Sequence, residues 1–173
     1  MKYKLHMKLL DTIMAVLVSL SGISDLETIE NIDPQKFCMA QNIYFESRNE
    51  STAGKVAVMN VTMNRVNSED FPNTICEVVY EGPHYQSVVN PELWYPYKNR
   101  CQFSWYCDGV KDKIANEKKF WEIFQLVDKL KNNDELIDLT DGALFYHADY
   151  VTPYWADKMR KKVVIDRHIF YHP

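Results

Sequence analysis

Asp33-Pro34-Gln35-Lys36-Phe37-Cys38-Met39-Ala40-Gln41-Asn42-Ile43-Tyr44-Phe45-Glu46-Ser47-Arg48 is the stretch that sets the fold class. Asp before Pro reads as a helix start, because an Asp side chain accepts from the unpaired first-turn N–H groups and Pro is pre-set for the first helical position. Phe37, Ala40, Ile43 and Tyr44 then recur at helical spacing, predicting a helix to about Arg48. Ser51 and Thr52 restart a second helix with a stripe of Val56, Met59, Asn60 and Met63. Thr74 followed by Glu77 forms a capping box ahead of a short helix over Ile75 to Tyr80.

From Gly82 to Arg100 the periodicity dissolves into a loop rich in Pro and Tyr. Loops of that length without structure of their own are uncommon unless they serve a function. Cys101 to Tyr106 reads as a short strand that would set Gln102, Ser104 and Tyr106 on one face and Phe103 and Trp105 on the other. Phe120, Ile123, Phe124, Val127 and Leu130 mark the clearest amphipathic helix, ending near Asn132-Asn133. After Asp141-Gly142, residues Ala143 to His147 are strand-like. Val163 to Ile165 and Ile169 to Tyr171 flank Asp166-Arg167-His168 as a closing hairpin. With neither an internal repeat nor a linker, residues 33–173 read as one α+β domain.

The 173 residues carry 20 Lys and Arg against 24 Asp and Glu, a formal charge of −4, so non-specific nucleic-acid binding is not indicated. At 46% hydrophobic and 13% aromatic, the chain is globular rather than disordered. Lys2, Lys4 and Lys8 precede an apolar run from Ile13 to Leu20, interrupted earlier by Asp11. Small residues Ser21, Gly22 and Ser24 follow. This order reads as a secretory leader over residues 1–24, too short in its apolar part to span a membrane once mature, the alternatives being a short buried helix or an uncleaved anchor. Four cysteines (Cys38, Cys76, Cys101 and Cys107) lie beyond it, and an exported chain would join them as two disulfides in one of three pairings. Cys101 with Cys107 would close a small loop, and Cys38 with Cys76 would then tie two helices. Their spacing suits no usual zinc site, and His147, His168 and His172 show no ligand spacing either. No metal or cofactor is expected.

The chemistry concentrates in Ile43 to Glu50. There Glu46 lies beside Tyr44 and Phe45 at a helix end, and Glu50 would share its face were the helix to continue. Desolvation by the two rings, and a nearby carboxylate, would both keep Glu46 protonated. A carboxylic acid holding its proton near neutral pH is what a glycosidic leaving group needs. The alternative is a solvated Glu46 paired with Arg48 or Lys55. Gln102, Ser104, Tyr146, His147, Tyr154 and Trp155 add the mixture of rings and polar groups found both in carbohydrate grooves and at ordinary core edges.

Several ordered blocks together resemble the cell-wall hydrolase family typified by the spore cortex-lytic enzyme catalytic domain. They are Ile43 to Arg48; Gly54 with Val56-Ala57-Val58 and Asn64-Arg65; and Phe71 to Cys76. Cys101 to Trp105 with Cys107-Asp108-Gly109 follow, then Gly142-Ala143, Tyr146-His147, Pro153-Tyr154-Trp155 and His168 to Tyr171. The resemblance implies a lysozyme-like α+β fold, mainly helical with a small antiparallel sheet. It implies cleavage of peptidoglycan glycan strands between N-acetylmuramic acid and N-acetylglucosamine, by a lytic transglycosylase or a muramidase-like hydrolase. It puts the catalytic acid on Glu46 and a companion acid on Glu50. Tyr44, Gln102, Ser104, Asp108, Tyr146, His147 and Tyr154 fall in the substrate groove. The chain departs from the family pattern at Asn49, where Gly is usual before the companion acid. An exported monomer is implied, acting in the periplasm, envelope or outside the cell, or released by a phage during lysis, without stable membrane insertion. The rivals are a non-catalytic glycan-binding envelope protein and a structural envelope protein held by disulfides.

Overall fold

The computed structural model describes residues 32–132 and 136–173, so the expected leader lies outside the described residues. Helix α1 spans Pro34–Ser47. Asp33 caps it as the sequence predicts, its side chain accepting from the Gln35 N–H. Helix α2, Thr52–Val66, opens on Ser51, whose hydroxyl accepts from the Gly54 N–H. Helix α3, Ile75–Val79, carries the Thr74 cap, with Glu77 returning to the Thr74 hydroxyl. Helix α4, Glu117–Asn132, buries Phe120, Ile123 and Val127.

Strands β1 (His84–Gln86) and β2 (Trp94–Pro96) form an exposed two-stranded ribbon. Strands β3 (Phe145–Ala148), β4 (Arg160–Ile165) and β5 (His168–His172) form an antiparallel sheet in the order β3-β5-β4. Short 3-10 turns occupy Ser104–Cys107 and Ala156–Lys158. The α+β expectation, mainly helical with a small antiparallel sheet, is what the chain adopts. Cys38 is joined to Cys76 and Cys101 to Cys107.

Three local expectations are corrected. The segment from Cys101 to Tyr106 is not a strand but a turn running into a 3-10 helix, which breaks the alternation expected of Gln102, Ser104 and Tyr106. The six-residue spacing of the Cys101–Cys107 disulfide closes a ring too tight for an extended strand to traverse. The stretch Gly82 to Arg100 is not structureless, since it contains the β1–β2 ribbon. Finally, α1 ends at Ser47, so Glu50 does not sit one helical turn beyond Glu46 on a shared face. The Glu50 N–H instead turns back to the Ser47 carbonyl.

Helix α2 is buried round most of its girth rather than along the single expected stripe. Val58 and Met59 face the main core, while Ala57 and Val61 face the sheet with Ala143 and Phe170. Its buried polar groups are used with one exception, the Nη1 of Arg65. Asn60 bonds both the Ile137 carbonyl and the Leu139 N–H, and Thr62 accepts from Asn42. Asn64 reaches Thr140 and the Ala143 carbonyl, fastening α2 to the start of β3. Gly54 is required by close approach, because a Cβ there would lie 2.8 Å from the Glu50 Cβ and collide with the Asp166 carboxylate.

Candidate active site

Glu46 occupies the last turn of α1, half-buried, between two layers of the fold. Its Oε2 accepts a 2.8 Å hydrogen bond from the Tyr146 hydroxyl on β3. Its Oε1 has no hydrogen-bond partner among the described residues. Burial raises the Glu46 pKa above the ordinary value, and the bond from Tyr146 and the charge of Arg65 offset only part of that rise. The cause is desolvation, as the sequence predicts. Glu50 does not figure among the influences on Glu46. Neither Arg48 nor Lys55 pairs with Glu46: Arg48 donates to the Tyr44 carbonyl, and Lys55 to the Glu50 and Ser51 carbonyls.

Tyr146 is held from three sides. Its ring meets His168 edge-on at 5.1 Å and lies 5.5 Å from Phe170, both on the paired strand β5. Burial pushes its phenol well above the usual range and the neighbouring Glu46 adds to that, so it stays a neutral donor. Next to Glu46, Phe45 stacks on Trp105 at 4.6 Å, and the Trp105 indole N–H donates to Asn42 at 2.9 Å. Trp105 is buried, while Gln102 and Ser104, its neighbours in the chain, are exposed. Ser104 opens the 3-10 turn and Gln102 precedes it, both exposed to solvent on either side of buried Phe103.

The remaining candidates are distributed differently from the expectation. Tyr44 lies in the core at 2% exposure, its hydroxyl accepting from the Asn116 N–H, and offers no surface to a ligand. His147 follows Tyr146 in β3 and so projects to the opposite face. There it stacks on Tyr171 at 5.2 Å, and its Nε2 lies 2.9 Å from the Tyr171 hydroxyl. Asp108 is engaged in its own turn, accepting from the Val110 N–H at 2.7 Å. Tyr154 is exposed, with Lys158 over its ring. Glu50 sits on the turn after α1, where its charge is felt by His168 and Lys55 rather than by Glu46. Asn49, the departure from the family pattern, takes no left-handed backbone angle, so this turn does not require glycine.

Two further side chains bear on the site. Arg65 was visible only as part of a motif, with nothing in its spacing to suggest a role, and it proves to be a buried cation within reach of Glu46 and Tyr146. Glu81, just past α3, has no sequence signal, yet its Oε2 is buried without a partner and it feels the Arg65 charge. Among the described residues no group of three His, Cys, Asp or Glu could hold a metal ion.

With that geometry in view, the comparisons are specific. Residues 49–171 match the family described as Cell Wall Hydrolase. The chain belongs to the cell wall hydrolase family. It is 41% identical over 56 residues to the spore cortex-lytic enzyme of Bacillus cereus, a match covering 32% of this chain and 22% of that protein. The corresponding enzyme of Bacillus subtilis is 36% identical over 56 residues, covering 18% of its length. The chain thus spans about a fifth of the curated relatives it matches. In structure it is similar to the catalytic domain of the germination-specific lytic transglycosylase SleB from Bacillus anthracis. The TM-score is 0.56 at 26% identity, covering 82% of this chain and 98% of the other. The matched span of this cell wall hydrolase begins at Asn49, just past Glu46.

Proposed function

We propose that the domain cleaves the glycan strands of peptidoglycan between N-acetylmuramic acid and N-acetylglucosamine, with Glu46 as the proton donor. One observation carries this reading. A carboxyl group sits at the end of a buried helix, its pKa raised by desolvation and one oxygen fixed by Tyr146, with no hydrogen bond to its other oxygen among the described residues. General acids work best when they hold their proton near the working pH and are aimed by a second group.

In the reaction, Glu46 passes its proton to the glycosidic oxygen while the bond from the muramoyl C1 breaks and its electron pair goes to that oxygen. The sugar passes through an oxocarbenium-like state. The Glu46 carboxylate then takes the proton of the muramoyl 6-hydroxyl as that oxygen closes on C1, giving a 1,6-anhydro end. This route needs one carboxyl group, and it is favoured because α1 ends before Glu50 and leaves Glu46 without a second carboxylate on its helical face. The alternative is hydrolysis, with Glu50 activating water from the turn beyond. Gln102 and Ser104, exposed and close in the chain to the Trp105 that stacks on Phe45, are assigned to the groove wall. The domain acts as a monomer outside the cytoplasm, a placement supported by its two disulfides.

Glu46→Gln tests the proposal. The variant is expected to bind purified cell walls as the wild type does and to cause no loss of turbidity. Cleavage by the variant would overturn the assignment. Mass spectrometry of the products separates the routes, with anhydro ends for transglycosylation and reducing ends for hydrolysis. A wild-type protein that binds walls and releases no fragment would favour the non-catalytic glycan binder.

A further inference from the structure

Arg65 is 3% exposed and forms no ion pair within 4 Å among the described residues. Its Nε donates to the Leu144 carbonyl at 2.8 Å. The guanidinium lies over three rings: Phe103 at 4.9 Å, Phe71 at 5.2 Å and Phe145 at 5.6 Å. Its Nη1 is buried with no hydrogen-bond partner. A guanidinium keeps its charge in proteins, and a buried cation without a matched anion is strongly destabilising. The cage of rings offsets part of that cost through attraction to the ring faces. It does not explain why a charge stands there when a Met would fill the same volume.

The position supplies a reason. Leu144, which anchors Arg65, lies two residues before Tyr146, so the cation is fixed to the start of the strand that carries the hydroxyl on Glu46. Three acidic groups feel it: Glu46 at the end of α1, Tyr146 on β3 and Glu81 after α3. We propose that Arg65 is a positioning residue that supplies the counter-charge for the Glu46 carboxylate formed once the proton has left. This rests on Glu46 being the acid of the proposed reaction. The charge on Glu46 appears during bond cleavage and disappears when the proton returns. A fixed cation anchored two residues before Tyr146 stabilises the interval between, and a low-dielectric setting magnifies its effect. Because the guanidinium is already anchored, no reorganisation accompanies the appearance of that charge.

The groups that could blur a pH measurement are Tyr146 on β3, Glu81 after α3 and His168 on β5, which packs on Tyr146. Cleavage requires protonated Glu46, so its titration sets the alkaline limb of kcat/KM. Removing a cation that favours the carboxylate lets Glu46 hold its proton longer. Arg65→Met is therefore expected to move that limb upward by about half a unit to one unit, while lowering kcat more than it changes KM. Arg65→Lys, which retains the charge, should return the limb most of the way. Should the Met variant fail to fold, Arg65→Gln keeps a donor for the Leu144 carbonyl and carries the same comparison. A carbon-13 titration of the Glu46 carboxyl in the folded protein should show the same upward shift without any turnover. An unmoved limb and an unmoved titration in a folded neutral variant would overturn the proposal. So would a Lys variant indistinguishable from the Met variant. If Glu46→Gln still cleaves walls, the acid assignment falls, and the carboxyl titration still reports whether Arg65 acts on Glu46.

Discussion

At the scale of single residues, the balance on Glu46 is set by three contributions of unequal weight: burial favours the acid, and Tyr146 and Arg65 favour the carboxylate. Tyr146→Phe removes a hydrogen bond that the charged form uses most. The Glu46 pKa is then expected to rise further, carrying the alkaline limb of activity upward, and kcat should fall roughly tenfold or more as the carboxyl loses its orientation. A pH–rate profile of the Phe variant checks both. The same raised pKa makes a stability prediction. Between the unfolded value near 4.5 and the higher folded value, the native protein binds more protons than the unfolded chain, so stability falls as pH rises through that window. Glu46→Gln keeps an acceptor for Tyr146 without the titration. Its Tm should exceed the wild-type Tm at pH 7, and the gap should close below about pH 4.5, as thermal unfolding across pH will show. The sequence made Glu46 legible because its flanking rings are adjacent in the chain. Tyr146 was legible as a groove candidate, but its bond to Glu46 across 100 residues was not. Arg65 and Glu81 were opaque because the groups that act on them lie 16 to 81 positions away, and no local spacing encodes a meeting of that kind.

At the scale of elements, caps and the stripe of α4 carried well, since both are decided within one or two turns, whereas α2 is buried on two sides and shows no single stripe. Asp33, Ser51 and Thr74 start their helices as their chemistry requires. Two-stranded pairing in the ribbon was missed because its strands are three residues each and face solvent, leaving no hydrophobic alternation to detect. The ribbon's connecting residues Val88 and Val89 are 98% and 96% exposed. Replacing both with Ser should leave the unfolding free energy from denaturant titration within about 0.5 kcal/mol of wild type, since neither side chain is buried on folding. A loss well beyond that would mean the ribbon packs against something in solution. The strand expected over Cys101 to Tyr106 failed for another reason. A disulfide between residues six apart outranks the alternation of side chains, and the chain coils to close it.

For the whole molecule, the two disulfides act on different lengths of chain and so contribute unequally. Cys38–Cys76 spans 38 residues and ties α1 to α3, while Cys101–Cys107 spans six. In the chain-entropy model a loop of the first size is worth about 4 kcal/mol and one of the second about 2 kcal/mol. Together these approach the entire stability of an ordinary domain, about 5–15 kcal/mol. Substituting Cys38 and Cys76 by Ala should therefore lower unfolding stability by about twice as much as substituting Cys101 and Cys107, measured by denaturant titration under oxidising conditions. The same arithmetic bears on where the protein works. A chain whose margin depends on two cross-links is poorly suited to a reducing compartment, so protein folded with excess thiol should melt far below the oxidised form. Protein isolated from its native compartment should show no free thiol on denaturation, and four free thiols there would reject export as the setting in which this fold is maintained.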